Sequence, residues 1–155
     1  YKHHLLCDDQ GNYPAEFNNP EVKVVEREMK REGFRFWYRN PQQPGQSSLG
    51  IAYPLGEQYG IVRPDFIFFA TAADGAWVAD LVDPHGLHLA DALPKLRGLA
   101  RYAETHAGAY RRIESVAEAS GKLRVLDLKN EAVRRAIAQA EQALALFSGP
   151  LASDF

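Results

Sequence analysis

The sequence predicts an α/β domain, a mixed central sheet flanked by helices. Three observations predict it. Runs at 34–38 ("FRFWY") and 65–72 ("DFIFFATA") are rich in aromatic and β-branched residues, as strands are. Segments at 18–33, 91–108 and 129–147 carry helical punctuation or helical apolar spacing. The two kinds alternate as helix, four strands, helix, two strands, helix.

Each element has its own justification. In "NNPEVKVVEREMKREG" Asn19 suits the cap, Pro20 the first turn and Gly33 the stop, and Val22, Val25 and Met29 share one face. The alternating 34–38 run is the first strand, and "NPQQPGQSS" after it is a loop. "LGIAYPL" is a short strand, and "EQYGIVRP" leads into the strand 65–72. Ala73-Asp74-Gly75 is a hairpin turn, and "AWVADLVD" returns as the next strand. Asp91 suits the cap of the following helix and Pro94 its first turn; Leu93, Leu96, Ala100 and Ala103 line one side. "AYRRIESVAEAS" and "KLRVLDL" are two strands around Gly121, and "KNEAVRRAIAQAEQALALF" is one long amphipathic helix. Residues 1–19 read as a linker or docking arm, 20–148 as the domain and 149–155 as a tail.

The totals set limits. A chain of 155 residues with 46% hydrophobic and 25% charged residues supports one globular core. A formal net charge of -2 excludes a broadly basic nucleic-acid binder, leaving room for a local basic patch. No apolar run is long enough for a membrane span, so no membrane partner is expected. The chain starts at Tyr1 without a signal-peptide pattern and reads as a domain of a longer protein. The single cysteine, Cys7, forms no internal disulfide, so a reducing cytoplasm is the expected location. His3, His4, Cys7 and His88 match no strong zinc spacing. No "GxxxxGK[ST]" is present, so this stretch has no P-loop.

Chemistry is suggested by two aspartates. Asp65 opens one strand and Asp83 closes the next. If these strands pair across residues 73–75, both acids arrive at the same end of the sheet. Clustered carboxylates can hold magnesium, which activates water and offsets charge on phosphorus. Asp80 is a rival, but alternation puts it on the opposite face from Asp83.

"RPDFIFF" followed by the acidic strand end "VDPHG" resembles the PD-(D/E)XK nuclease superfamily, the restriction-endonuclease-like fold. More narrowly, the string from Glu21 to about Ile137 resembles the C-terminal nuclease-like domain of type III restriction-type DEAD/DEAH helicases. The resemblance implies a Mg- or Mn-dependent DNA endonuclease domain (a hydrolase) serving restriction or antiviral defence. Its partners would be DNA and a helicase motor in the same polypeptide or complex. Asp65 matches the first metal-binding aspartate and Asp83 the second acid. Glu21, with Glu26 as rival, matches the glutamate of the first helix. His85 stands where the family has its lysine. Either His85 supplies the cation or Lys95 does so from the following helix, and Lys95 is favoured. Arg39 and Asn40, at the end of the first strand, are candidate DNA contacts. The alternative is a catalytically inactive nuclease-like module that binds DNA or braces the motor.

Overall fold

A computed structural model describes residues 1–88 and 90–155. The first helix, α1 (Asn19–Glu28), is set by a capping box centred on Asn18 and not on Asn19. Asn18 Oδ1 accepts from the Glu21 N–H at 3.0 Å, and the Glu21 carboxylate accepts from the Asn18 N–H at 2.8 Å. Its inward side is Glu21, Val24, Val25 and Glu28, so Val24 takes the place expected for Val22.

The main sheet has six strands in the order β1-β4-β5-β6-β7-β8. These are β1 (Phe34–Arg39), β4 (Phe66–Thr71), β5 (Trp77–His85), β6 (Arg112–Ala119), β7 (Lys122–Asp127) and β8 (Ser153–Asp154). All neighbours run antiparallel except β5 and β6, which are parallel. The parallel pair needs a crossover, and α2 (Ala92–His106) supplies it. Mixed α/β architecture, with helices flanking a mostly antiparallel sheet, is thus what the chain adopts.

The β4–β5 hairpin forms as expected. Gly75 sits at φ +83°, and the Ala76 N–H donates to Asp74 Oδ1 at 3.0 Å. Register runs from Thr71↔Trp77 to Phe66↔Val82. β5 then outruns β4 by three residues, Asp83 to His85, paired only with β6. Pro84 falls in this singly paired stretch, where proline is tolerated.

Two apolar layers lie on the two faces. Val24, Val25, Trp37, Phe66, Phe68, Val82 and Val116 pack under α1. Leu81, Leu96, Leu99, Ile113, Leu126, Ile137 and Phe147 form the other layer, under α2 and the last helices.

Three expectations need correction. "EQYGIVRP" does not merely lead into β4. It forms a strand of its own, β3 (Gln58–Val62), paired with β2 (Ile51–Leu55) in a separate two-stranded hairpin. That hairpin lies on α2 through Tyr53; a Cβ on Gly98 would come within 2.7 Å of the Tyr53 Cβ. The last helix is broken into α3 (Glu131–Gln139) and α4 (Ala143–Ser148). The break lets Val133 and Ile137 of one and Phe147 of the other all reach the core. Residues 149–155 are not a loose tail: β8 pairs with β7, and Phe155 is buried beneath the Arg27 guanidinium.

The N-terminal segment docks on the domain itself. His3 to Leu5 run along the open edge of β1, exchanging backbone hydrogen bonds with Trp37. The Trp37 indole donates to the Lys2 carbonyl at 2.8 Å, and the His4 ring stacks on Tyr13. An exposed strand edge is thereby covered.

Candidate functional site

Asp65 and Asp83 meet where β4 starts and β5 overhangs it. The Asp65 N–H donates to Asp83 Oδ1 at 3.0 Å. Both line a cleft of about 180 Å³ whose walls include Gln42, Arg63, His85 and Lys95. The cleft is roofed on one side by the end of β3 and on the other by the first turn of α2.

His85 is enclosed. Its side chain is only 7% exposed, and both nitrogens are used. Nδ1 meets Asp83 Oδ2 at 3.0 Å, and Nε2 meets the Ala92 carbonyl at 3.1 Å. Two acceptors call for two N–H donors, which is the imidazolium form. Burial pulls its pKa down, but the hydrogen bond and charge of Asp83 outweigh this, and the net direction is up. Asp83 therefore has a cation locked against one oxygen and an amide N–H on the other.

Asp65 is the strained partner. Its pKa is pushed up to about 8, first by burial and then by the charges of Asp83 and Glu21; Arg39 and His85 only partly counter them. Gln42 donates to its Oδ1 at 3.1 Å. A buried carboxyl that also feels a second one favours a bound proton or an added cation.

Lys95 stands at the rim, half-buried, with Nζ 2.6 Å from Asp91 Oδ2. Asp91 was expected to cap α2; its side chain makes no cap hydrogen bond and holds Lys95 instead.

The other predicted residues lie elsewhere. Glu21 is buried, and its carboxylate is taken by the capping box and by Arg39 Nη2 at 2.9 Å. It acts on Asp65 only through its charge. Glu26 is exposed on α1. Arg39 and Asn40, the candidate DNA contacts, both have partners inside the domain. Arg39 pairs with Glu21 and lies over the Phe17 and Phe66 rings. Asn40 is 1% exposed and ties down the following loop, donating to the Leu49 carbonyl and accepting from its N–H. Asp80 is on the opposite face, as alternation required. It joins Arg111, Arg112 and Glu28 in a buried ionic network, with Arg112 Nη2 at 2.8 Å. Burial raises its pKa, but hydrogen bonds from the two arginines reverse this, and the net direction is down.

The family model described as the YagJ family matches residues 2–155. The chain belongs to the YagJ family. Protein YagJ of Escherichia coli (strain K12) is 70% identical over 155 residues, which are 100% of this chain and 63% of that relative. The chain thus spans 63% of the length of the curated relative it matches. No solved structure matches it.

Within this YagJ-family chain, sequence reasoning missed Gln42 and Arg63. Gln42 sits in a polar Pro- and Gly-rich loop that has no periodic signal. Arg63 immediately precedes Pro64-Asp65, and its position beside the motif was the only available signal. Among the described residues, no group of three or more His, Cys, Asp or Glu side chains is arranged to hold a metal ion. No helix among them is long and apolar enough to cross a membrane.

Proposed function

We propose that this YagJ-family domain is a divalent-metal-dependent deoxyribonuclease module with a restriction-endonuclease-like core, acting in the cytoplasm on DNA. The observation that carries this reading is the meeting of Asp65 and Asp83 at one strand end, in a cleft also lined by Lys95. The succession α1, β1, β4, β5, α2, β6, with β6 parallel to β5, supports it. It follows the helix, sheet hairpins, helix and strand of the resembled core, with the β2–β3 hairpin as an insertion.

The donor set fits magnesium or manganese. Such ions take oxygen ligands and commonly keep several waters, so one or two carboxylates are a usual protein share. The carboxyl of Asp65, whose pKa is raised first by burial and then by its neighbour's charge, is a group that gains from an added cation. A divalent ion held by Asp65 and Asp83 would supply charge neutralisation on a phosphate and an activated water.

The chain's own groups do the rest. The Asp65 N–H and the His85 imidazolium fix the orientation of Asp83. His85 is a positioning residue, since both its nitrogens face inward. Lys95 is the cation placed to meet a phosphate oxygen as charge develops there. Gln42 holds Asp65 from the loop side. Glu21 is left out of the ligand set because it does not line the cleft; its carboxylate is held by the capping box and by Arg39.

A second reading has one observation in its favour. Lys95 is already paired with Asp91, and His85 with Asp83, so the site's cations are internally satisfied. On that reading the domain is a catalytically inactive nuclease-like module that binds DNA. Since 155 residues make up 63% of the E. coli relative, about 90 residues of that protein lie outside the match.

The test is plasmid nicking by the purified protein in Mg²⁺ or Mn²⁺, beside Asp83→Ala. Metal-dependent nicking by the parent and at least a ~100-fold loss in Asp83→Ala is the expected result. Nicking that is absent, or equal in both proteins, would leave the inactive module as the reading.

A further inference from the structure

On the flank of α2 opposite Lys95, a second cavity opens between α2 and α3. It has a volume of about 410 Å³ and is lined by Arg97, Arg101, Glu104, Arg134 and Ile137, among others. Three guanidiniums against one carboxylate concentrate positive charge here, although the whole chain is formally -2. We propose that this groove is a binding site for a phosphate group.

Two of the three arginines are fixed in place by the fold. Arg97 donates from Nη2 to the Ala140 carbonyl at 2.6 Å and from Nε to the Ile137 carbonyl at 3.4 Å, closing the C-terminal end of α3. Arg134 donates from Nη1 to the Leu128 and Lys129 carbonyls, bracing the other end of the same helix. A guanidinium has five N–H donors. Arg97 keeps Nη1, and Arg134 keeps Nε and Nη2, without partners among the described residues. Their planes are held by backbone carbonyls, so little side-chain freedom is lost when an anion binds. Guanidinium donors held in this way suit a planar or tetrahedral oxyanion.

Helix bracing accounts for Arg97 and Arg134 but not for Arg101. Arg101 is exposed, and its side chain has no hydrogen-bond or ion-pair partner among the described residues. It also borders the neighbouring depression under the β2–β3 hairpin tip, which it shares with Arg97 and Leu55. The apolar floor from Ala100 and Ile137 lowers the local dielectric and strengthens attraction to an anion. The acidic cleft lies on the other flank of α2, so this site is independent of the nuclease reading.

The phosphate can come from a nucleic-acid backbone or from a free phosphorylated molecule. Two titrations distinguish them, both in EDTA so that no metal-dependent cutting occurs. One follows anisotropy of a labelled 15-nucleotide single strand; the other follows calorimetry with inorganic pyrophosphate. Arg101→Ala is the test variant, since it breaks no internal bond. Arg135→Ala is the charge-matched control: it is exposed on α3 and paired only with Glu131. Loss of about tenfold in DNA affinity in Arg101→Ala, with the salt slope falling by about 1, would assign the site to a nucleic-acid phosphate. An Arg101-dependent loss for pyrophosphate alone would assign it to a free phosphorylated ligand. Equal behaviour of Arg101→Ala and Arg135→Ala with both probes would overturn the site. Binding without nicking would keep this inference while removing the nuclease reading.

Discussion

Asp65→Asn should make the metal-free domain more stable at alkaline pH. Asparagine keeps the shape and the Oδ1 acceptor for Gln42, so only the charge and proton are removed. The folded state holds the Asp65 carboxyl at about 8 against a usual value of 3.8. Between those values the native state binds a proton that the unfolded chain has released. Stability is therefore whole below about pH 4 and falls as pH rises toward 8. A displacement of that size corresponds to about 5–6 kcal/mol as a ceiling. Asp65 is partly exposed and relaxes with its neighbours, so about 2–3 kcal/mol is the working figure. For a chain of this length that is a rise of roughly 5–10 °C in Tm for Asp65→Asn at pH 8.5. At pH 4 the two proteins should melt together. Thermal unfolding by circular dichroism across pH 4–9, in EDTA, measures this directly. A variant that is less stable than the parent at pH 8.5, or a gap that does not change with pH, would refute the charge-crowding argument.

Further outcomes follow from the same geometry. Asp80→Ala leaves Arg112 buried beside Glu28 with one counter-charge fewer, and should cost about 3–5 kcal/mol in urea unfolding. Lys95→Ala breaks only a surface-type pair with Asp91, so its Tm should change little, by well under ~1 kcal/mol equivalent, while nicking falls by about 100-fold or more. Gly98→Ala drives a methyl into the Cβ of Tyr53 and should cost about 1–3 kcal/mol, read as faster limited proteolysis within the β2–β3 hairpin. His85→Gln removes a group whose raised pKa adds stability below about pH 6.5 that is lost as pH rises through the folded value. Its destabilisation should therefore be larger at pH 5.5 than at pH 9, in the same melting assay.

The sequence made some of this geometry legible, for identifiable reasons. The β4–β5 hairpin was readable because Asp74-Gly75 fixes the turn and the flanking residues count evenly back to Asp65 and Asp83. Alternation also separated Asp80 from Asp83 correctly. The β3 strand was hidden because "EQYGIVRP" is short and runs straight into the next strand; Gly60 within it is where the Tyr53 ring crosses the hairpin. The final helix looked continuous because its alanines favour helix throughout; the break at residues 140–142 is imposed by burying Phe147. The internal partners of Arg39 and Asn40 were not legible, because strand-end donors look the same whether they face solvent or an internal acceptor. Here Glu21 and Leu49 take them. The arrival of Lys95 at the cleft was foreseen from the helix that follows β5. Its tether to Asp91 was not, since Asp91 reads equally well as a cap.

The central claim is that Asp65 and Asp83 together hold a divalent ion. Calorimetric titration of Mn²⁺ at pH 8 tests it most directly, with Asp83→Ala as the test and Glu26→Gln, an exposed carboxylate on α1, as the control. The account predicts one ion per chain in the parent and in Glu26→Gln, with proton release from Asp65, and no such binding in Asp83→Ala. Absence of binding in the parent, or equal binding in Asp83→Ala, would contradict it and make the cleft a self-neutralised cluster of acids and His85.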